Sequence, residues 1–257
     1  MIEYRDLAAT ENQETCALPI DEGPGGEARF QAAITLRRAG DLKHIDSKPL
    51  PRHLRLLAGL GITQDRLFTC RQVHSRRVLT VRRRDPQHYA REAADGLICE
   101  LKDVVLAVTV ADCLPIFLVD RRRGAFAVVH SGWKGTGIVR EALSGLRREF
   151  GSQSRDLRAL IGPGIGSCCY EVDAERFTRF RAEFGERAVS RRDSKHYLDL
   201  RAANLTLLEE AGVEDVLVIR DCTACNPLLS SYRRDGIGHY CNMLAMIARS
   251  GLISEQE

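Results

Sequence analysis

The stretch VVLAVTVADCLPIFLVD, residues 104–120, decides the fold. It holds two apolar runs, 104–110 and 115–119, each of strand length and rich in valine and isoleucine, separated only by residues 111–114. That link is too tight for a helical crossover, so at least part of the sheet is expected to be antiparallel, and a purely doubly wound parallel sheet is disfavoured. Outward from it, residues 125–129, 157–161 and 216–219 read as further strands. Helical periods lie between them. Residues 136–150 place Ile138, Val139, Leu143 and Leu146 on one face, and residues 198–211 do the same with Leu200, Leu205 and Leu208. The order is mixed α and β. No Pro-rich or Gly/Ser linker and no internal repeat divides the chain, so one domain over residues 1–257 is expected, with 1–50 the part whose pattern is weakest.

Composition narrows the class. A hydrophobic fraction of 44% over 257 residues supports a sizeable globular core rather than a fibre or a disordered chain. The N-terminal MIEYRDLAATENQETC carries charges where a signal peptide needs an apolar run, and the most apolar stretch is interrupted by Asp112, so a cytoplasmic protein with no membrane association is expected. The formal charge of +3 is small, and the arginine clusters at 82–84, 121–123 and 191–192 read as solvated turns. With only 6% aromatic residues to stack bases, nucleic-acid binding is not expected.

The nine cysteines, at 16, 70, 99, 113, 168, 169, 222, 225 and 241, are odd in number and irregular in spacing, which fits a reducing compartment with some thiols as core filler. Cys222-Thr-Ala-Cys225 is a single C-x-x-C without a second pair, and nothing around it resembles a thioredoxin motif. Cys168 and Cys169 read as structural residues of a glycine-rich loop. The H-x-E and P-C-x-x-C signature of zinc deaminases is absent.

Chemistry is suggested at three places. Asp112 and Cys113 stand between two strands, where side chains are presented at a sheet edge. His130 ends a strand and is followed by Gly132, Gly135 and Gly137, which permit close approach of backbone or ligand. His74 sits in CRQVHSRRV between polar and apolar neighbours. Taken singly, Cys113 reads equally as a small core residue, His130 as a satisfied core histidine and His74 as a loop histidine. Their spacing is not that of a zinc finger, whose ligands come in close pairs.

Seven stretches change the reading: QVHS at 72–75, ADG at 94–96, VTVADCLPI at 108–116, HSGWKGT at 130–136, IGPGIGSCCYEV at 161–172, LDLRAAN at 198–204 and SYRRDG at 231–236. In this order they resemble the laccase-domain family, also described as multicopper polyphenol oxidase-like proteins, purine nucleoside phosphorylases or peptidoglycan editing factors. The resemblance implies an α+β fold, a layered sandwich of mixed β-sheets with flanking helices. It implies zinc held by His74, Cys113 and His130, with the fourth position open as in a catalytic site; Asp112, next to Cys113, joins these three in the expected catalytic set as a group that orients a ligand or shuttles a proton. It implies phosphorolysis of adenosine, inosine or methylthioadenosine together with adenosine deamination. Arg233 and Lys134 are the candidates to hold phosphate. The partners are then a purine nucleoside and phosphate, and no protein partner is expected. The family's N-terminal pattern is not recognisable in residues 16–50, and His239 stands where an arginine is usual.

Two other chemistries compete. Two histidines and a cysteine also form a copper site with a weak axial methionine, so copper is an alternative occupant and polyphenol oxidation an alternative activity. Met243 and Met246 are distant from the ligands in sequence, however, and seven histidines are few for a multicopper cluster. Alternatively, Cys113 as nucleophile with His130 as base, or zinc at the same residues, would serve the amide cleavage of peptidoglycan precursors that the resemblance also implies.

Overall fold

The two apolar runs flanking Ala111, Asp112 and Cys113 are both strands, and they lie in different sheets. The computed structural model describes residues 1–21, 29–45 and 49–254. Residues 22–28 and 46–48 of the divergent N-terminal part lie outside the described residues. The first half of the chain forms β1 (Ile2–Arg5), β2 (Thr15–Leu18), β3 (Phe30–Thr35), α1 (Pro51–Gly59), β4 (Leu67–Phe68), β5 (Val78–Thr80), α2 (Pro86–Arg91), β6 (Gly96–Cys99), β7 (Val105–Val110) and β8 (Leu114–Asp120). There follow β9 (Phe126–Ser131), α3 (Ile138–Phe150), β10 (Leu157–Ile161), β11 (Glu171–Val172), α4 (Ala174–Phe184), β12 (Val189–Arg192) and β13 (Lys195–Leu198). The chain continues with α5 (Leu200–Glu210), β14 (Asp215–Ile219), α6 (Tyr232–Asp235) and β15 (Met243–Arg249).

One sheet has the order β1-β14-β10-β8-β9-β6-β5, a second β2-β3-β15-β7-β4, and a small third β11-β13-β12. Both large sheets are mixed. The pairs β1–β14, β14–β10, β6–β5 and β7–β4 are parallel, while β8 runs antiparallel to β9 and β10, and β7 antiparallel to β15. The expected α+β layered sandwich is therefore the architecture. The tight link after β7 has a different meaning from the one its length suggests. It turns the chain from one sheet into the other at Asp112, whose φ of 86° is in the left-handed region. Antiparallel pairing exists, but β7 pairs with β15 and β8 with β9 and β10, not with each other.

The continuous apolar character of both runs has a physical cause, because each strand is buried on both faces. Leu106, Val108 and Val110 of β7 meet Phe117 and Val119 of β8 in the layer between the sheets. On the outer face of β7, Val105 and Ala107 pack with Leu56, Leu57 and Leu60 from α1 and its end. On the outer face of β8, Leu114, Ile116 and Leu118 pack with Ile138, Val139 and Leu146 of α3 and with Leu205 and Leu208 of α5. The order across the molecule is helix, sheet, sheet, helices. Gly137, at φ 104°, and Gly151, at φ 68°, bracket α3, and Asp199 caps α5 by accepting from the Ala202 N–H at 2.9 Å.

The arginine clusters are locally paired. Arg121 meets Asp21 at 2.8 Å, Arg82 pairs with Glu149, Arg84 with Asp103, and Arg191 and Arg192 lie over the rings of Phe177 and Tyr197. None of the nine cysteines is in a disulfide, and Cys16, Cys70 and Cys99 are buried as filler. Among the described residues no helix is long and apolar enough to cross a membrane.

Candidate active site

Two loops and the end of a strand converge where the chain leaves one sheet for the other. His130 is the penultimate residue of β9 and is buried, Cys113 is half-buried just before β8, and His74 is exposed on the loop between β4 and β5. Their ligand atoms all lie within 4.8 Å of one another, and the two imidazole rings meet edge to face with centroids 4.9 Å apart. The structure thus brings together the three residues singled out in the sequence. The donor set fits a metal ion, since two imidazoles and a thiol present one ligand atom each to a common point.

Asp95, which no role had been assigned to, organises the cluster. It is fully buried immediately before β6, and its Oδ1 accepts from His130 Nδ1 at 2.9 Å, leaving Nε2 of that ring to face Cys113. Its carboxylate also accepts from the N–H groups of Val73, His74 and Ser75 at 3.2, 2.9 and 2.6 Å, and from Ser75 Oγ at 2.8 Å. Three successive amides can aim at one carboxylate only if the loop curls, and His74 at φ 59° supplies that curl. Burial would raise the Asp95 pKa, but the hydrogen bonds from His130 and Ser75 outweigh it and hold the group at about 2. A carboxylate that orients a ligating histidine is the usual outer support of a metal site. The signal was present in the sequence as the ADG stretch.

Gln72 fixes the other end of this loop. Its side chain accepts from Thr109 N–H at 2.7 Å and donates to Thr109 C=O at 2.8 Å, extending the ladder of β7 beyond the short β4. Burial opposes charge at Cys113, yet the neighbouring imidazole of His130 and hydrogen bonds from both histidines draw its pKa well down. His130 is drawn up in turn, against burial, by Cys113 and Asp95. Thiolate is therefore the favoured state of Cys113, which is the state a metal requires.

The glycines of HSGWKGTG have distinct spatial reasons. A Cβ on Gly132 would stand 2.5 Å from Cys113 Sγ and 3.6 Å from His74 Cδ2, and one on Gly135 would stand 2.9 Å from the Ser75 carbonyl oxygen. Gly132→Ala is expected to lose metal at this site by displacing the thiolate while leaving the thermal transition nearly unchanged. Metal analysis beside a melting curve checks it, and native-like metal content would show that the close approach is not needed.

The remaining candidates divide. Asp112 uses both carboxylate oxygens structurally, accepting from Thr223 Oγ1 at 2.6 Å and from the Arg233 N–H at 2.7 Å. It thereby docks the SYRRD turn beside Cys113. The Arg233 guanidinium donates to the carbonyls of Cys169 and Glu171 at 3.2 and 2.8 Å and lies 5.5 Å from the Tyr170 ring, so its fork is partly engaged. Lys134 is exposed, 5.6 Å from the Trp133 ring centroid, and among the described residues no carboxylate pairs with it. Arg176 Cζ stands 4.6 Å over the same Trp133 ring, and adds a positive charge that sequence reading missed. Tyr170 is half-buried between these groups, and burial followed by the Cys113 charge raises its pKa.

A family model described as multi-copper polyphenol oxidoreductase laccase matches residues 50–250. A purine nucleoside phosphorylase of Mycobacterium tuberculosis is 34% identical over 195 residues, covering 75% of this chain and 77% of that protein. An adenosine deaminase from an unknown prokaryotic organism is 36% identical over 202 residues, covering 73% and 77% respectively. Among solved structures, YlmD from Geobacillus stearothermophilus superposes with a TM-score of 0.83 at 27% identity, covering 95% of this chain and 99% of its own.

Proposed function

We propose, from the premise that this chain belongs to the multi-copper polyphenol oxidoreductase laccase family, that it is a zinc-dependent purine nucleoside phosphorylase with adenosine deaminase activity. The observation that carries this reading is the convergence of His74, Cys113 and His130 within 4.8 Å, with Asp95 behind them and Lys134 on the adjoining loop. Zinc held by these three residues supplies Lewis acidity at neutral pH. Zinc suits the site better than copper does. Met243 and Met246 belong to the packed faces of β15, so no thioether joins the ligands, and among the described residues no other histidine joins a group of three ligands.

In phosphorolysis an oxygen of hydrogen phosphate bonds to C1′ as the bond from C1′ to the purine nitrogen breaks, and the proton that the phosphate gives up ends on the departing base. The chain's part is to hold the dianion against a sugar that becomes cationic, and to do so with fixed charge. Lys134 is the free point charge for this task, and Arg233 adds a charge anchored on two carbonyls. Asp112 acts through Arg233 and Thr223, keeping both close to Cys113, and is a positioning residue. Lys134→Gln is expected to raise the KM for phosphate roughly 10- to 100-fold, the scale of one lost charge-assisted hydrogen bond. The KM for nucleoside should stay nearly constant, and steady-state kinetics with each substrate varied in turn tests this.

The deciding assay is chromatographic analysis of adenosine incubated with the zinc-quantified protein, with and without phosphate. Adenine and ribose 1-phosphate formed only with phosphate support phosphorolysis, and inosine supports deamination. Adenosine left intact by protein with this site filled would sink the reading. In a thiol amidase, Cys113 would attack as a free nucleophile, which ligation forbids. Activity abolished by a chelator and restored by zinc argues for ligation, whereas activity that survives chelation and falls to iodoacetamide argues for the thiol.

A further inference from the structure

The C-x-x-C pair that seemed isolated in the sequence has a partner pair in space. Cys168 and Cys169, on the loop after β10, meet Cys222 and Cys225, on the loop after β14, and all four sulfurs lie within 4.8 Å of one another. The Cys225 sulfur stands 3.7 Å from that of Cys168 and 3.4 Å from that of Cys169. Zinc with four thiolates at about 2.3 Å places the sulfurs roughly 3.8 Å apart, close to the 3.7 Å separation and a little above the 3.4 Å one. A disulfide needs about 2.05 Å. An iron–sulfur cluster would hold its cysteines further apart, because irons and bridging sulfides intervene.

The surroundings are those of a built site. Gly166 N–H donates to Cys222 Sγ at 3.2 Å, and the Cys225 and Asn226 N–H groups donate to the Cys222 carbonyl at 3.0 and 2.8 Å, closing a tight turn over the sulfur. Gly166 has to lack a side chain, because its Cβ would stand 3.0 Å from Cys168 Sγ and 3.3 Å from Cys222 Cβ. Arg201, whose Nη1 lies 3.4 Å from that same point, is held by the Gly164 carbonyl at 2.8 Å. Its charge opposes the double negative charge of a zinc tetrathiolate. Cys168 and Cys225 are exposed, so an ion can enter from solvent.

We propose that Cys168, Cys169, Cys222 and Cys225 form a second, structural zinc site that staples two loops beneath the active site. The closed, all-sulfur donor set leaves no position for substrate, which separates it in role from the His74, Cys113 and His130 centre. Both stapled loops hold Asp112. Ile165 N–H donates to its carbonyl at 2.8 Å, and Thr223 Oγ1 to its carboxylate at 2.6 Å. The Cys169 carbonyl also anchors Arg233. The staple therefore fixes the floor on which SYRRD is seated.

Elemental analysis of protein purified anaerobically with zinc is expected to find two ions per chain in the native protein. One should remain in Cys222→Ser/Cys225→Ser, and one in Cys113→Ala. A single ion in the native protein, with none left in Cys113→Ala, would overturn the second site. Should the double variant fail to fold, alkylation of the native protein decides. Cys168 and Cys225 should resist iodoacetamide until a strong chelator is added. Immediate reaction of these exposed thiols, or protection released by a reductant and not by a chelator, would overturn the proposal, the latter in favour of a disulfide.

Discussion

Cys113→Ala is expected to remove the zinc of the active site and turnover together. The fall in kcat/KM should be on the order of 10^3-fold or more, the scale on which a single electrostatic stabiliser of a transition state is felt. The fold should survive, because the thiol is half-buried and the His130 pair with Asp95 at 2.9 Å does not depend on it. Metal analysis, phosphate-dependent adenine release and a melting curve on one preparation form the test. An active variant lacking this zinc would end the metal reading. A variant that keeps the zinc and loses activity would instead make Cys113 a nucleophile.

Asp95→Asn is expected to damage both affinity and stability. The carboxylate accepts from His130 Nδ1, three backbone amides and Ser75 Oγ at a position with no solvent exposure. An amide of the same shape has one accepting oxygen. Whichever way it turns, its NH2 group faces donors, so either His130 loses its orientation or the 73–75 loop loses its anchor. Zinc affinity at the active site should fall at least 10- to 100-fold, as when other outer supports of metal sites are removed. The unfolding free energy should fall by about 3–5 kcal/mol, the cost of stranding partners of a buried charge. Chelator competition and denaturant titration measure the two effects, and native values in both would show that Asp95 is not the organiser.

Much of the architecture was legible. Residues 136–150 and 198–211 carry their buried faces in the helical period, and α3 and α5 form there with Ile138, Val139, Leu143, Leu200 and Leu208 buried. Strands at 157–161 and 216–219 were equally plain from apolar content, as β10 and β14. The pairing of β7 and β8 was not. A strand buried on both faces shows no alternation, so nothing local marks which sheet it joins, and the short link between them serves a sheet-to-sheet corner as well as a hairpin. Asp112 illustrates the same limit in the site. Its place next to Cys113 suggested chemistry, while its hydrogen bonds to Thr223 and Arg233 tie it to residues more than a hundred positions away.

By itself the sequence determined the types of the central strands and of the two main helices, the buried faces of those helices, and, through seven stretches around His74, Cys113 and His130, the family to which the chain belongs. These properties depend on the identity and period of nearby residues. Only the tertiary structure decided that Asp95 gathers five donors behind His74, Cys113 and His130, that Arg233 is tethered by two carbonyls, and that Cys168 and Cys169 meet a pair more than fifty residues downstream. The first meeting depends on β6 lying beside β9, and the others on β8, β10 and β14 lying side by side in the same sheet, which brings the loops at their ends together. Strand order is a long-range choice, made by the packing of the whole core and written in no single segment.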